Sequence, residues 1–567
     1  MYTEVKGALK RAALAGGVLM AATFSSPAEA SPTPMVGPGP YFVDWMSRHD
    51  RSAEPEPSEF KLINYFFTRG SATNMVADPA GLRGVSLGPI GIGEAGSATS
   101  VGADTALYIE QRWIPVIAYS PNFVDGYATF RAQFEIDYAW GQAANQIQNN
   151  QGGGLNADQV NIQTKNVNVA LYPTKNPLQL SILIGTQSVY DSIYDPTITS
   201  LFTITKTGYK LTYLGTDGTG AAVFGHFGNH YFKAMYLPVG AAQAKKATEN
   251  DARLYYVHMG SLDYAQEVMP GTIVGLTLMV LKDNTEGRGF AFEGLVPSGP
   301  SSTGLFAYTG TPNFRIRQPT GTVGYLGMHF HHNVDFKTGN FGASGFLMYN
   351  GGEYESQEED TQLNEKLTIG GYAANLELMY NHGKTVNDVI TAELLLTNGD
   401  EDPGDDEYSG AFTLNNYGLP GAVWFNHKTL LLFPFTSTVS NYTGAVTDIS
   451  NQGYGLQTAI VTAQKDLLPE RLNLKLGAAV AQSAVKPQPA QIDGNNDGDF
   501  DDADDVIIER GQTIGAEVNA ELKYHLKYLM TFGLHAGYMF TGNFYNANEQ
   551  VDGNAWAAFS TFTWYGF

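Results

Sequence analysis

One stretch near the carboxyl end of the chain has the residue types and spacing of a calcium-binding loop. Positions 493–504 carry oxygen donors at the first, third, fifth, ninth and twelfth places, a glycine at the sixth and an available backbone carbonyl at the seventh, Asp499. EF-hand-type loops use this spacing to wrap Ca²⁺, a hard cation that takes about six to eight oxygen ligands. The candidate ligands are Asp493, Asn495, Asp497, Asp499, Asp501 and Asp504.

Composition alone offers an alternative interpretation of this loop. Acidic runs also occur at 353–360 and 400–407, and like-charge runs are usually solvated. At a lipopolysaccharide surface such runs could also hold divalent cations. No helical pattern flanks 493–504, so we expect a bound ion to order an external loop without driving a helix switch.

His329, His331 and His332 form a second candidate site. On a strand His329 and His331 share a face, and they could bind a metal together with a third ligand. Polar residues are also common where a strand meets a turn. We favour this second interpretation.

Charged residues alternate with apolar ones along several segments, most clearly at 127–140. Such alternation predicts a strand with one polar and one apolar face, as in a barrel with a wet lumen. The candidate lumen-lining residues are Arg131, Glu135, Asp137, Glu377, Glu393, Lys475, Glu517, Glu521 and Lys523. Because acidic residues outnumber basic ones in this set, we expect a bias toward neutral or cationic solutes.

The elements that position these residues are strands of bilayer-crossing length. Segments 514–524 and 530–540 alternate with period two around a short turn, and the chain ends on Phe567. This ending resembles the last strand of Gram-negative outer-membrane barrels, which their assembly machinery recognises. A soluble antiparallel sandwich would also show alternation.

The amino-terminal segments favour the membrane interpretation. Residues 1–30 contain basic residues, an apolar run and Ala28-Glu29-Ala30, which predicts a signal peptide. Residues 31–59 are rich in proline and polar residues, and we expect a flexible periplasmic segment. No later stretch predicts a membrane-spanning helix. An exported chain of amphipathic strands then spans a membrane as a closed barrel, because every backbone polar group must be paired.

The sequence therefore predicts an all-β fold: residues 60–567 form a transmembrane antiparallel β-barrel of about 18 strands. The count includes weaker candidates at 104–114, 206–214 and 221–235. If Phe567 lies at the periplasmic side, the short connections fall on that side and the long ones fall outside. This asymmetry is typical of outer-membrane barrels.

Composition limits the function further. The chain has no cysteine and a net charge of −23, which excludes disulfides and thiolate metal sites and argues against nucleic-acid partners. No arrangement typical of the catalytic residues of a hydrolase is evident, so we do not expect an enzyme.

Two segments carry a family resemblance. The run NGDEDPGDDEYSGAF from Asn398 and the hairpin NVNVALYPTKNPLQLSILIGTQ at 166–187 are similar to parts of the alginate-export family of outer-membrane barrels. The resemblance implies a monomeric channel for a polysaccharide or another small polar solute. Thr186 stands where that family has arginine, and the acidic lumen does not suit a polyanion, so alginate itself is not assigned.

Together these features predict a porin or exporter-like channel in the outer membrane of a Gram-negative bacterium, in contact with lipid and lipopolysaccharide. It would pass small hydrophilic solutes such as saccharides or cations. The alternative is a barrel that acts as a sheath and holds a periplasmic or electron-transfer partner protein in its bore.

The calcium loop is directly testable. Calorimetry on the refolded barrel should show Ca²⁺ binding that is abolished when Asp493→Ala and Asp497→Ala are combined, because both carboxylates are direct ligands in the proposed loop. Unchanged affinity in the double variant would refute the site.

Overall fold

The computed structural model describes the barrel wall and parts of its loops. The described residues are 60–77, 99–140, 159–175, 179–190, 214–242, 255–284, 316, 319–334, 336–356, 364–402, 405–412, 414–415, 428–433, 445, 449–451, 453–469, 471–492, 506–527, 530–546 and 551–566. The predicted signal peptide, the segment 31–59, the candidate calcium loop and Phe567 lie outside these ranges.

The described chain is almost entirely β-strand. The strands are β1 Phe60–Ala77, β2 Thr99–Tyr119, β3 Ala128–Ala139, β4 Gln159–Leu171, β5 Leu180–Tyr190, β6 Leu214–Phe227, β7 His230–Ala242, β8 Tyr255–Met269, β9 Thr272–Asp283, β10 Pro319–His332, β11 Phe341–Ser356, β12 Lys366–Asn381, β13 Val389–Thr397, β14 Glu407–Tyr408, β15 Leu414–Asn415, β16 Gln457–Leu468, β17 Leu472–Gln482, β18 Ala490–Ile492, β19 Val506–Ile508, β20 Thr513–Lys527, β21 Met530–Thr541 and β22 Ala555–Gly566. Short 3-10 turns lie at Asn122–Val124 and Asn543–Tyr545. Within these ranges, no helix is long and apolar enough to cross a bilayer.

Eighteen strands form one closed wall, which is the 20-stranded sheet without the short β14 and β15. Each wall strand pairs antiparallel with its chain neighbour, and β13 pairs with β16 and β17 with β20. The first and last strands close the sheet, in a register that runs from Asn64↔Gly566 to Thr73↔Ala557. Closure leaves no unpaired sheet edge, as a hydrocarbon environment requires. The predicted antiparallel barrel of about 18 strands is confirmed.

The connections show the predicted asymmetry. Short turns such as 228–229, 270–271 and 382–388 lie at the end of the barrel that contains Phe60, whereas long connections such as 284–318 and 398–456 lie at the other end. Of the weaker strand predictions, 104–114 lies within β2, whereas residues 206–213 lie outside the described residues. The segment 221–235 is not one strand but the β6–β7 hairpin, which turns at Gly228 with φ +63°. The aromatic residues on both sides of this turn hid it in the sequence.

The outer surface is an apolar belt. Along β9 buried and exposed positions alternate strictly, and the exposed side chains include Leu276 and Leu278. Leu262, Leu326 and Leu347 continue the belt on neighbouring strands. A monomeric water-soluble protein rarely exposes so large an apolar surface, whereas lipid covers it in a membrane barrel. The structure is therefore that of a transmembrane antiparallel β-barrel, as the sequence predicted.

The belt predicts how a lipid-facing charge would act. Leu262 lies in the middle of β8 and is 60% exposed. Leu262→Lys should destabilise the barrel by about 2–4 kcal/mol, because the ammonium would face the middle of the hydrocarbon. Urea unfolding in phospholipid vesicles measures this change.

Phe123→Lys provides the matched control. Phe123 is 89% exposed in the turn between β2 and β3, so the same charge should change stability there by only about 0.5 kcal/mol or less. Equal effects of the two substitutions would contradict the assignment of the belt.

Candidate functional site

Most of the predicted lumen-lining residues project to the inside of the wall. The buried ones are Arg131, Glu377, Glu393, Lys475, Glu517 and Glu521, and the Lys523 side chain is 13% exposed. Their chain neighbours on the same strands form the apolar belt. Glu135 and Asp137 lie in β3, where the structure describes their backbone only.

A lysine from an external loop joins two of these carboxylates. Glu377 and Glu393 are direct cross-strand partners on β12 and β13, so their like charges would repel each other. Lys428, from the connection between β13 and β16, places its Nζ 2.8 Å from Glu377 and also forms an ion pair with Glu393. Asn375 donates to Glu393 at 2.8 Å. All four side chains are buried, so the single positive charge of Lys428 is shared by the two carboxylates and offsets one of their two negative charges.

The residues after Lys428 hold a third carboxylate with their backbone. The N–H groups of Leu430, Leu431 and Leu432 donate to Glu517 at 2.6, 2.9 and 2.6 Å. Successive N–H groups turned toward one point form an anion-binding nest. The chain approaches the wall closely at Gly537, where a Cβ would lie 3.3 Å from Leu430. We call the contacts of residues 428–432 with Glu377, Glu393 and Glu517 the loop clamp.

The same loop is attached at several points around the external mouth. The short strand β14 pairs with the outer end of β12, beyond the point where β13 ends, and β15 pairs with the outer end of β6. Thr397 donates its hydroxyl to Ile449 O at 2.9 Å, near the return of the loop to β16. The loop therefore crosses the opening and enters the lumen.

The inner wall is apolar where the loop packs. One buried cluster joins wall residues of β7 to β11 with Tyr408, Phe412 and Leu430–Phe433 of the loop. The wall residues include Met235, Leu237, Met259, Met279, Leu281, Val323, Tyr325 and Met348. The expected polar inner face is thus limited to part of the lumen. Part of the bore is a packed core between wall and loop.

A second charged network surrounds Glu521. Its carboxylate forms an ion pair with Lys475, lies 3.5 Å from Lys523 and 2.9 Å from His535 Nδ1. The other ring nitrogen of His535 is 3.0 Å from the Thr561 hydroxyl. These contacts satisfy a carboxylate that would otherwise be costly to bury.

Several lumen cations besides the predicted Arg131 were not found from the sequence. Arg69, Arg112 and Arg131 project inward from the adjacent strands β1, β2 and β3, and each is buried. Across the bore from Glu377 and Glu393, they form a basic wall. Arg69 and Arg112 could have been found from their alternation with outward residues such as Trp113. Lys428 lies in a loop and gave no such signal.

A further ion pair lies on β7 and β8. Lys233 Nζ is 3.1 Å from Asp263, which also accepts a hydrogen bond from the Thr277 hydroxyl at 2.6 Å. Both charged residues are buried. The described lumen therefore carries charges of both signs, most of them in ion pairs.

No group of three or more His, Asp or Glu side chains that could hold a metal occurs among the described residues. The candidate calcium loop is outside that part of the chain, although the antiparallel pair β18 and β19 joins residues on either side of it. Calcium binding stays a prediction.

Comparisons with known proteins give a likeness to outer-membrane porins. No family model matches the chain, and no curated protein matches it. Among solved structures, Pseudomonas aeruginosa OccK2 (OpdF) in complex with glucuronate has 10% identity and a TM-score of 0.44, covering 90% of this chain and 99% of that chain. Pseudomonas aeruginosa OprD has 10% identity and a TM-score of 0.44, with 91% and 97% covered. Acinetobacter baumannii OccAB4 has 9% identity and a TM-score of 0.42, with 91% and 100% covered.

The alginate-export resemblance stays a prediction, because no family model matches the chain.

The acidic run after β13 is more ordered than its composition suggests. Asn398 accepts a hydrogen bond from Tyr372 N at 2.7 Å, and Asp400 N donates to Gly453 O at 2.7 Å. Asp400 is buried, whereas Asp402 and Asp405 are exposed. Burial, and then the nearby charges of Asp405 and Asp402, raise the pKa of Asp400 to about 6, although two backbone N–H groups lower it.

The raised pKa of Asp400 predicts that the stability of the first part of the β13–β16 loop depends on pH. Between about pH 4 and pH 6 the folded loop binds more protons than the unfolded chain, so its stability falls as the pH rises through this range. Hydrogen exchange of the amides at 400–412 should show several-fold greater protection at pH 5 than at pH 7.5. Asp400→Asn, which mimics the protonated acid, should remove most of this difference. An unchanged pH dependence in the variant would exclude Asp400 as its source.

Proposed function

We propose that the protein is an outer-membrane channel for small hydrophilic solutes, and that the β13–β16 loop narrows its lumen. The observation that carries the proposal is the charged and polar inner face of a closed barrel of 18 wall strands. Barrels of about 16–18 strands enclose an aqueous channel unless loops fill it.

The loop clamp sets the width of the path in this proposal. Lys428 and the backbone N–H groups of 430–432 hold one part of the loop against Glu377, Glu393 and Glu517. Solutes would pass between the clamped loop and the remaining wall, where Arg69, Arg112 and Arg131 lie. A path bounded in this way suits small solutes better than large polymers.

The charge pattern supports only weak ion selectivity. The sequence alone predicted an acidic lumen that favours neutral or cationic solutes. Lys428 offsets one of the two charges of Glu377 and Glu393, Lys233 is paired with Asp263, and Arg69 and Arg112 add positive charge that the sequence analysis did not include. We therefore propose neutral solutes such as saccharides as the main class, with cations second.

The sheath hypothesis is less favoured. A barrel that holds a partner protein needs an open bore, whereas Leu430–Phe433 are buried within this one in a cluster shared with the wall. A partner would have to displace the clamp.

Single-channel recording in planar bilayers tests the proposal. The wild-type barrel should conduct, and Lys428→Met combined with Glu517→Gln should conduct more. Removing Lys428 leaves Glu377 and Glu393 unpaired, and breaking a buried pair in this way typically costs about 3–5 kcal/mol. The clamp should then open.

Lys475→Met is the matched control, because it removes a buried lumen cation whose partner is Glu521 and not the loop. It should change conductance much less than the clamp variant. Absence of conductance from all three folded barrels would refute the channel. Equal conductance of wild type and clamp variant would refute the role of the loop.

A further inference from the structure

We propose that His329 and His331 bind one divalent transition-metal ion, of the Zn²⁺ or Ni²⁺ type, inside the barrel. Both residues lie on β10, near its junction with the short turn 333–340. The site is separate from the loop clamp and from the candidate calcium loop.

The strand brings the two imidazoles to the same side of the wall. His329 and His331 are 9% and 3% exposed, and they alternate with Met328 and Phe330. His329 is paired with Gly275 on β9 and Phe346 on β11, and His331 with Ile273 and Ser344. Both rings therefore project into the lumen.

The distance between the rings fits one shared ion. The ring centres are 5.3 Å apart and the ring planes meet at 59°. A tetrahedral zinc ion lies about 2.1 Å from each imidazole nitrogen and hence about 3.2 Å from each ring centre, so two rings on one ion are about 5 Å apart. The pair is already close to this separation.

His329 also has nitrogens available for an ion. Neither of its ring nitrogens has a hydrogen-bond partner among the described residues. Buried polar atoms are nearly always bonded, so this exception needs an explanation. His332 next to it contacts the Thr272 hydroxyl at 2.7 Å, and both ring nitrogens of His535 have partners. A metal ion would satisfy His329 in the same way.

The ring of His329 lies against a glycine, and the nearest cation is held by a carboxylate. A Cβ on Gly275 would lie 2.1 Å from His329 Nε2, so the absent side chain makes room for the ring. The positive charge of Lys233 reaches His329, but Lys233 is held by Asp263 at 3.1 Å. The nearest cation is thus largely neutralised by its own partner.

Two imidazoles leave coordination positions open. The described residues supply no third ligand of the usual types, so water or a solute oxygen would complete the sphere. We expect a moderate affinity and an ion that exchanges with the lumen. Nitrogen ligands favour Zn²⁺ and Ni²⁺ over Mg²⁺ and Ca²⁺, which prefer oxygen.

Zn²⁺ binding to the purified barrel in detergent micelles tests this site without reference to transport. Equilibrium dialysis with elemental analysis, in excess Ca²⁺ and Mg²⁺ to occupy acidic loops, should detect one Zn²⁺ that is lost in the His329→Gln, His331→Gln double variant. Each single variant should bind at least about tenfold more weakly, since even loss of an outer contact to a metal ligand costs about 10–100-fold. His332→Gln is the matched control and should retain the ion.

Conductance provides a second measurement if the barrel forms a channel. Micromolar to millimolar Zn²⁺ should reduce the current through wild type and the His332→Gln variant, and not through the double variant. Equal Zn²⁺ binding by wild type and double variant would overturn the proposal. Loss of binding in His332→Gln alone would also overturn it. A barrel that binds Zn²⁺ at these histidines but does not conduct would refute the channel and retain the metal site.

Discussion

Every feature of this protein depends on one constraint, that no backbone polar group can remain unpaired in hydrocarbon. The 18 wall strands meet it because β1 pairs with β2 on one side and with β22 on the other. The amphipathic alternation follows from the same constraint, since each wall residue must face either lipid or lumen. Once the wall is closed, the remaining freedom lies in the loops and in the inward-facing side chains.

The interior is stabilised by the pairing of buried charges. Burying a carboxylate is costly unless cations or N–H groups surround it. Glu393 meets this requirement with Lys428, Glu517 with three backbone N–H groups, and Glu521 with Lys475 and His535. Because some of these partners come from a loop, the cost of the buried acids fixes the position of that loop. The inward-facing Glu393 and Glu517 therefore determine which part of the bore the β13–β16 loop occupies.

Regular features were predictable from the sequence, whereas features formed by distant contacts were not. The hairpin of β20 and β21 was evident because its apolar residues recur with period two. The turn between β6 and β7 was missed in the prediction, because glycine and aromatic residues blur the alternation near Gly228. Lys428 could not be assigned to the lumen, because no local pattern indicates that a residue of a long loop will meet Glu377. The apolar patches of the inner wall were missed for the same reason.

Burial of the clamp has a consequence for its response to salt. At physiological ionic strength mobile ions screen exposed charges over about 8 Å, but they screen buried pairs much less. The external pairs Lys366–Glu353 and Lys486–Glu509 are about half exposed, whereas the Lys428 side chain is 6% exposed. A change from dilute to saline surroundings would therefore weaken the ion pairs at the outer rim of the barrel. The buried ion pairs of the loop clamp would change little, so the interior dimensions would stay the same.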